Sequence, residues 1–390
     1  MNTQLVLPEE LSFLKARLSK ELQDLKPVSK NKLANLSSHF NTDRTFAGRA
    51  LRQYYLYYFL LVEFLEYEDL GQFEKVSFSI PIEYKGQLFF LEHRKLGLGL
   101  VTEKPKEKEQ TAEEVVHKLN AALEMAKPFF EWKAEQAAEQ SKLNVVNHSN
   151  FLFDRYRYFS ALYSSLIEDA EHRKGEKIEE EIGGWTHISY PSTEIKQNAE
   201  WVSMSAIDAF FSWTEHVFIH MAILRGKTIT GKDVDKLASG NWANKFKAAL
   251  DVSDKETHTF YEQLTTIKRQ LRNYITHGAF GKNGEAMSFH SNVGAVPLLL
   301  PQKQGAARFT FYSDLSFDED EVLNLIEKFI VHLWAGPRMP FKVYIQSSLP
   351  SILTMAQDGQ YPSAIESLQE MEELVEYLQH RFDVAANMDW

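Results

Sequence analysis

"EWVSMSAIDAFFSWTEHVFIHMAILRG" (200–226) reads as one strongly apolar helix that stops at Gly226. Working outward, "GKDVDKLASGNWANKFKAAL" (231–250) suggests one or two short helices around Trp242. "SDKETHTFYEQLTTIKRQLRNYITHG" (253–278) is an amphipathic helix with Ser253 and Glu256 spaced as a capping box. It ends on basic residues, His277 and Gly278, as a helix C-terminus should. Strands are expected at 285–291 and 307–313. A helix over 316–334 follows, with Ser316 and Glu319 as a second capping box. Two further helices, 341–357 and 363–381, complete this half.

On the N-terminal side, 7–25 has helical apolar spacing before Pro27, and 42–66 reads as a second helix with Asn41 or Thr42 as its cap. "KVSFSIPIEYKGQLFFLEH" (75–93) alternates and breaks at "YKG", which predicts a β-hairpin. A solvated connector over 102–111 leads to long helices at 111–142 and 149–173. "RKGEKIEEEIGG" (173–184) is a charged, glycine-ended break and is expected to separate domains. The fold class is therefore mainly α with a small β element. An α-rich N-terminal domain with a β-hairpin (1–182) precedes a helical domain (190–335) and an acidic helical segment (340–390).

The chain has 390 residues and no cysteine, which excludes disulfides, thiolate metal sites and cysteine nucleophiles. The aromatic run "RQYYLYYFLLVEFL" (52–65) is too short and too interrupted by charge to span a bilayer. No secretory layout opens the sequence, so a soluble cytoplasmic protein is expected. The net charge of −11 is uneven. From 314 to 390 there are 14 Asp/Glu against 4 Lys/Arg, a balance of −10; from 199 to 283 there are 11 Lys/Arg against 9 Asp/Glu, a balance of +2. The region around "RNYITHG" is thus free to hold a local basic patch.

"RNYITHG" (272–278) places Arg272, Asn273 and His277 at a helix end. With this motif, the helix containing "SWTEHVF" (212–218), the Trp242/Lys245/Phe246/Lys247 element and the helix at 316–334, residues 190–335 resemble the HEPN domain family. The resemblance implies a HEPN-like helical bundle and a metal-independent endoribonuclease. In that family two protomers bring their arginines and histidines together, and RNA is cut to a 2′,3′-cyclic phosphate. Many members are toxins or antiviral-defence effectors, which implies RNA, a second copy and a regulatory protein or antitoxin as partners. Other members are non-catalytic scaffolds that bind RNA, nucleotide or protein.

The chemistry of these residue types agrees with the resemblance. Attack by a 2′-OH builds charge on the phosphate oxygens, which a guanidinium stabilises, and an imidazole moves protons near neutral pH. Residues five apart on a helix diverge by about 140°, so Arg272 and His277 do not share a face, whereas Asn273 and His277 do. Convergence on one phosphate then takes two copies. Arg269 and Lys282 either extend a cationic surface or are solvated charges. Glu215 either pairs with Arg272 or is exposed. His216 and His220 stand at metal-binding spacing, but the residue after His216 is Val217, not the glutamate of a zincin, and no third ligand is evident. No metal or other cofactor is expected. The acidic C-terminal segment either competes with RNA for the basic face or forms the solvated side of two helices.

Overall fold

The computed structural model describes residues 7–29, 33, 42–277, 285–292, 294–299 and 318–388; of 182, 272–277 and most of 285–299 it describes the backbone alone. It is mainly helical with a small amount of sheet. The chain divides into two compact units, Met1–Ala137 with Tyr377–Trp390, and Ala138–Glu376.

In the first unit, α1 (Glu9–Glu21) and two short strands, β1 (Lys26–Pro27) and β2 (Asp43–Arg44), precede the main meander. The meander is β3 (Val76–Tyr84), β4 (Gln87–Arg94) and β5 (Gly97–Thr102), and the antiparallel sheet runs β1-β3-β4-β5-β2. The expected hairpin is present, with Lys85 and Gly86 at positive φ in its turn. The third strand, "GLGLVT", went unread because its glycines mask the alternation. One face of the sheet, with Ile80, Ile82, Phe89 and Leu91, packs in a core with Leu18, Leu22, Val115 and Leu119. The other face carries a smaller cluster of Val28, Phe90 and Val101. Both faces of "LFFL" are covered, which is why this run is continuously apolar.

The helix expected over 42–66 is only half realised. Asp43–Arg44 pairs with Val101–Thr102 at the sheet edge, and Ala47–Ala50 is a 3-10 turn. A Cβ on Gly48 would sit 2.8 Å from the Leu100 backbone nitrogen, so this turn needs glycine. Helix begins at α2 (Tyr54–Tyr57) and widens into a π-helix over Tyr58–Phe64. The connector at 102–111 is also shorter than expected, because Pro105 opens α3 (Pro105–Met125), with α4 (Lys127–Glu139) after it.

The second unit begins with β6 (Asn144–Val145) and α5 (Ser149–His172). The segment 173–184 holds the first strand and the turn of a β-hairpin, β7 (Ile178–Ile182) and β8 (Trp185–Ser189), inside this unit. Gly183 and Gly184 both take positive φ, as a two-residue hairpin turn requires. The hairpin leads into α6 (Pro191–Leu224), a helix of 34 residues packed along α5. From Ser203 onward α6 is buried on most sides, and α7 (Gly231–Ser239), α8 (Trp242–Ala249) and α9 (Lys255–His277) follow it. Then come the hairpin β9 (Glu285–Ser291) and β10 (Gly294–Leu299), α10 (Glu319–Leu333), α11 (Met339–Gln346), β11 (Ser351–Ile352), α12 (Leu353–Gln357) and α13 (Gln360–Ala364). A last helix, α14 (Leu368–Asn387), crosses from the second unit's residues into the first's.

Phe246 is the hub of this core, with ring centroids 5.3 Å from Phe218 and 5.8 Å from Phe329. The capping differs from expectation in detail. Asp254, not Ser253, caps α9 by accepting from the Thr257 N–H at 2.8 Å, and Ser253 turns back to Asp251. Glu256 approaches His332 at 3.4 Å instead of closing a box. Asp318 caps α10 through the Glu321 N–H, while Ser316 lies outside the described residues, as does the strand expected at 307–313. A capping box forms between Thr230 and Asp233 at the start of α7.

Candidate active site

Helix α9 runs unbroken from Lys255 to His277, so Arg272, Asn273 and His277 occupy its last two turns. Thr257, Leu264, Ile267 and Leu271 are buried and mark the side of α9 that faces the core. By helical geometry, positions 273 and 277 stand one above the other on roughly the opposite side. The side chains of Arg272, Asn273 and His277, and all of Lys282, lie outside the described residues. Arg269, one turn before Asn273, is exposed.

Glu215 is partly buried and doubly paired. Its carboxylate accepts from Lys245 Nζ at 2.6 Å and from Lys268 Nζ at 2.8 Å. Lys245 is 5% exposed, and Lys268 also lies over the Phe211 ring, 4.9 Å from its centroid. Burial pushes the Glu215 carboxyl up, but the two lysine hydrogen bonds outweigh it and hold the pKa below the ordinary glutamate value. This triad pins α9 to α6 and α8 one turn before Arg272. The lysines are 30 and 53 residues from Glu215 in sequence, beyond the reach of any periodicity argument. Lys245 carried the one available hint, a lysine inside the "WANKFK" element.

The histidine pair on α6 forms a second polar tie. His216 Nε2 accepts the His148 backbone N–H at 2.8 Å, so it carries no proton there. His220 Nε2, 3.1 Å away, is then the protonated nitrogen, and its Nδ1 accepts from Ser351 Oγ at 2.7 Å. Burial, then the neighbouring His148, brings His216 down to about 4; burial, then His216, brings His220 down to about 3. Two neutral imidazoles thus join α6 to the start of α5 and to β11, with their lone pairs occupied. Asn147 extends the tie, donating to the Ile345 and Leu349 carbonyls. Among the described residues no group of three or more His, Asp or Glu side chains is placed to hold a metal ion, and no helix is long and apolar enough to cross a membrane.

No protein-family model, no curated protein and no solved structure matches this chain.

Proposed function

We propose that the chain is a metal-independent endoribonuclease of HEPN type, acting as a homodimer through Arg272 and His277 with Asn273 in support, as a toxin or antiviral-defence effector. What carries the reading is the run of α9. One amphipathic helix commits its apolar stripe to the core and carries the motif residues 272–277, with positions 273 and 277 on its reverse side. The nearby carboxylate, Glu215, is already neutralised by two lysines and does not oppose a phosphate.

In the reaction the 2′-oxygen forms a bond to phosphorus as its proton leaves, and the P–O5′ bond breaks as the 5′-oxygen gains one. Arg272 stabilises the charge on the non-bridging oxygens. His277 handles a proton. Arg269 and Lys282 contribute cationic surface.

The test is incubation of the purified protein with RNA in excess EDTA, alongside Arg272→Ala and His277→Ala. Expected are 2′,3′-cyclic phosphate ends from the wild type and at least a hundredfold loss in either variant, the usual worth of a positioned proton donor or charge stabiliser. RNA bound but left intact would instead point to a non-catalytic scaffold.

A further inference from the structure

The β7–β8 hairpin has no core of its own. Its two strands pair only with each other among the described residues, Trp185 is 81% and Ile188 45% exposed, and Glu179, Glu180 and Glu181 are exposed too. A two-stranded sheet with both faces in water is marginal. Its two edges differ. The β7 edge is guarded by the three glutamates, the charge pattern that blocks strand addition. The β8 edge lies in "GWTHISYPST" (184–193), which carries no Asp, Glu, Lys or Arg.

We infer that β8 pairs antiparallel with β8 of a second copy of this chain, closing a four-stranded sheet with glutamate-guarded edges on both sides. The register follows from the turn. Ile182 and Trp185 close a two-residue loop, so that pair exchanges both hydrogen bonds, as do the alternate pairs made by His187 and Ser189. The backbone groups of Thr186 and Ile188 therefore point away from β7. Pairing about His187 sets Thr186 opposite Ile188 of the second copy and satisfies all of these groups at once. A register centred on Thr186 would recruit Gly184, which is held at φ 83 by the turn and cannot extend. The arrangement is isologous, and it ends at two copies because the guarded edges face outward. The neutral edge also identifies the occupant. A cationic strand from another protein would be drawn to the glutamates of β7, whereas a neutral strand meets its own copy without repulsion. Lys177, the cation nearest in sequence, is already paired with Glu179.

Sedimentation velocity of the full chain over a concentration series tests the inference. The wild type is expected to move from monomer to dimer. Ile188→Pro removes one outward N–H per copy and no bond within the hairpin, and should raise the dissociation constant roughly thirtyfold. His187→Lys, at an exposed position, sets like charges face to face and should weaken the dimer without the backbone change. Replacing Glu179, Glu180 and Glu181 together by Thr should give species larger than dimers. A monomer throughout the series, or a dimer indifferent to both Ile188→Pro and His187→Lys, overturns the inference. RNA cleavage is scored separately. An inactive dimer split by Ile188→Pro sinks the ribonuclease and keeps the sheet; an active dimer that ignores Ile188→Pro does the reverse.

Discussion

Two of the tight β-hairpins, β3–β4 and β7–β8, have opposite fates. In the first unit, β3–β4 turns at Lys85-Gly86 and is buried on both faces between two apolar clusters. In the second, β7–β8 turns at Gly183-Gly184 and is open on both faces. Turn geometry is shared; what differs is whether the chain supplies its own cover. The first unit is held by a sheet clothed with helices. The second is held by one buried helix, α6, tied by polar contacts, and leaves its small hairpin outside. Substitutions at the two hairpins and at those ties should therefore cost very different amounts.

The largest effect is expected where cover is complete. Phe89 is fully buried in β4 and stacks into the main core. Phe89→Ala leaves a cavity there and should cost about 4 kcal/mol of unfolding free energy, read from denaturant midpoints at unchanged slope. A cost under about 1 kcal/mol would mean that the two hairpins are not the opposites described.

Next comes the tie between α6 and α9. Glu215→Ala leaves Lys245 buried without its carboxylate, and a loss of about 2 kcal/mol is expected, below the full value for a buried pair because Glu215 and Lys268 are each partly exposed. Protection of α9 amides from hydrogen exchange should fall with it. If only global stability changed, the triad would not be what seats the helix that ends on Arg272 and His277.

These two sites also show how far the sequence could be read. Apolar runs identified α1, α5, α6 and the β3–β4 hairpin, because burial writes itself into composition. The β7–β8 hairpin reads in sequence as a charged break, because its strands have almost no apolar face and only the Gly183-Gly184 turn marks it. Tyr54–Phe64 looked like the end of a longer helix because periodicity cannot see that Asp43–Arg44 joins a sheet edge formed by β5. Around the motif, the helix over Lys255–His277 was legible. The partners of Glu215 were not, since contacts between distant segments leave no local pattern.

The histidine tie makes the second unit sensitive to mild acid. His216 and His220 have folded-state pKa values of about 4 and about 3, below the unfolded value near 6.5, so the folded state favours their neutral forms. Their contribution is fully present above about pH 6.5 and is lost as pH falls toward those folded values. Between pH 7 and pH 5 a loss of up to about 4 kcal/mol is expected, about 2 kcal/mol for each histidine, and His216→Gln should remove part of that slope. Glu215 acts later: its depressed pKa supplies stability above about pH 4.3 that fades only below it. An acid limb that began near pH 4 and ignored His216→Gln would assign the loss to the carboxylate instead.

The smallest effect on the folded monomer is expected at the hairpin that has no cover. Trp185 is 81% exposed and fills no cavity within the chain, so Trp185→Ala should change monomer stability by less than about 0.5 kcal/mol. Exposed tryptophan is nevertheless costly to leave in water, at about 25 cal/mol for each Å² of apolar surface. The same substitution should therefore register where β8 meets its second copy. Trp185 fluorescence in the wild type is expected to shift to the blue as concentration rises and the sheet closes over the ring. The other tryptophans can be replaced by Phe to isolate the signal. A fluorescence spectrum independent of concentration, while sedimentation reports dimers, would place the contact elsewhere and leave this hairpin as open as β3–β4 is closed.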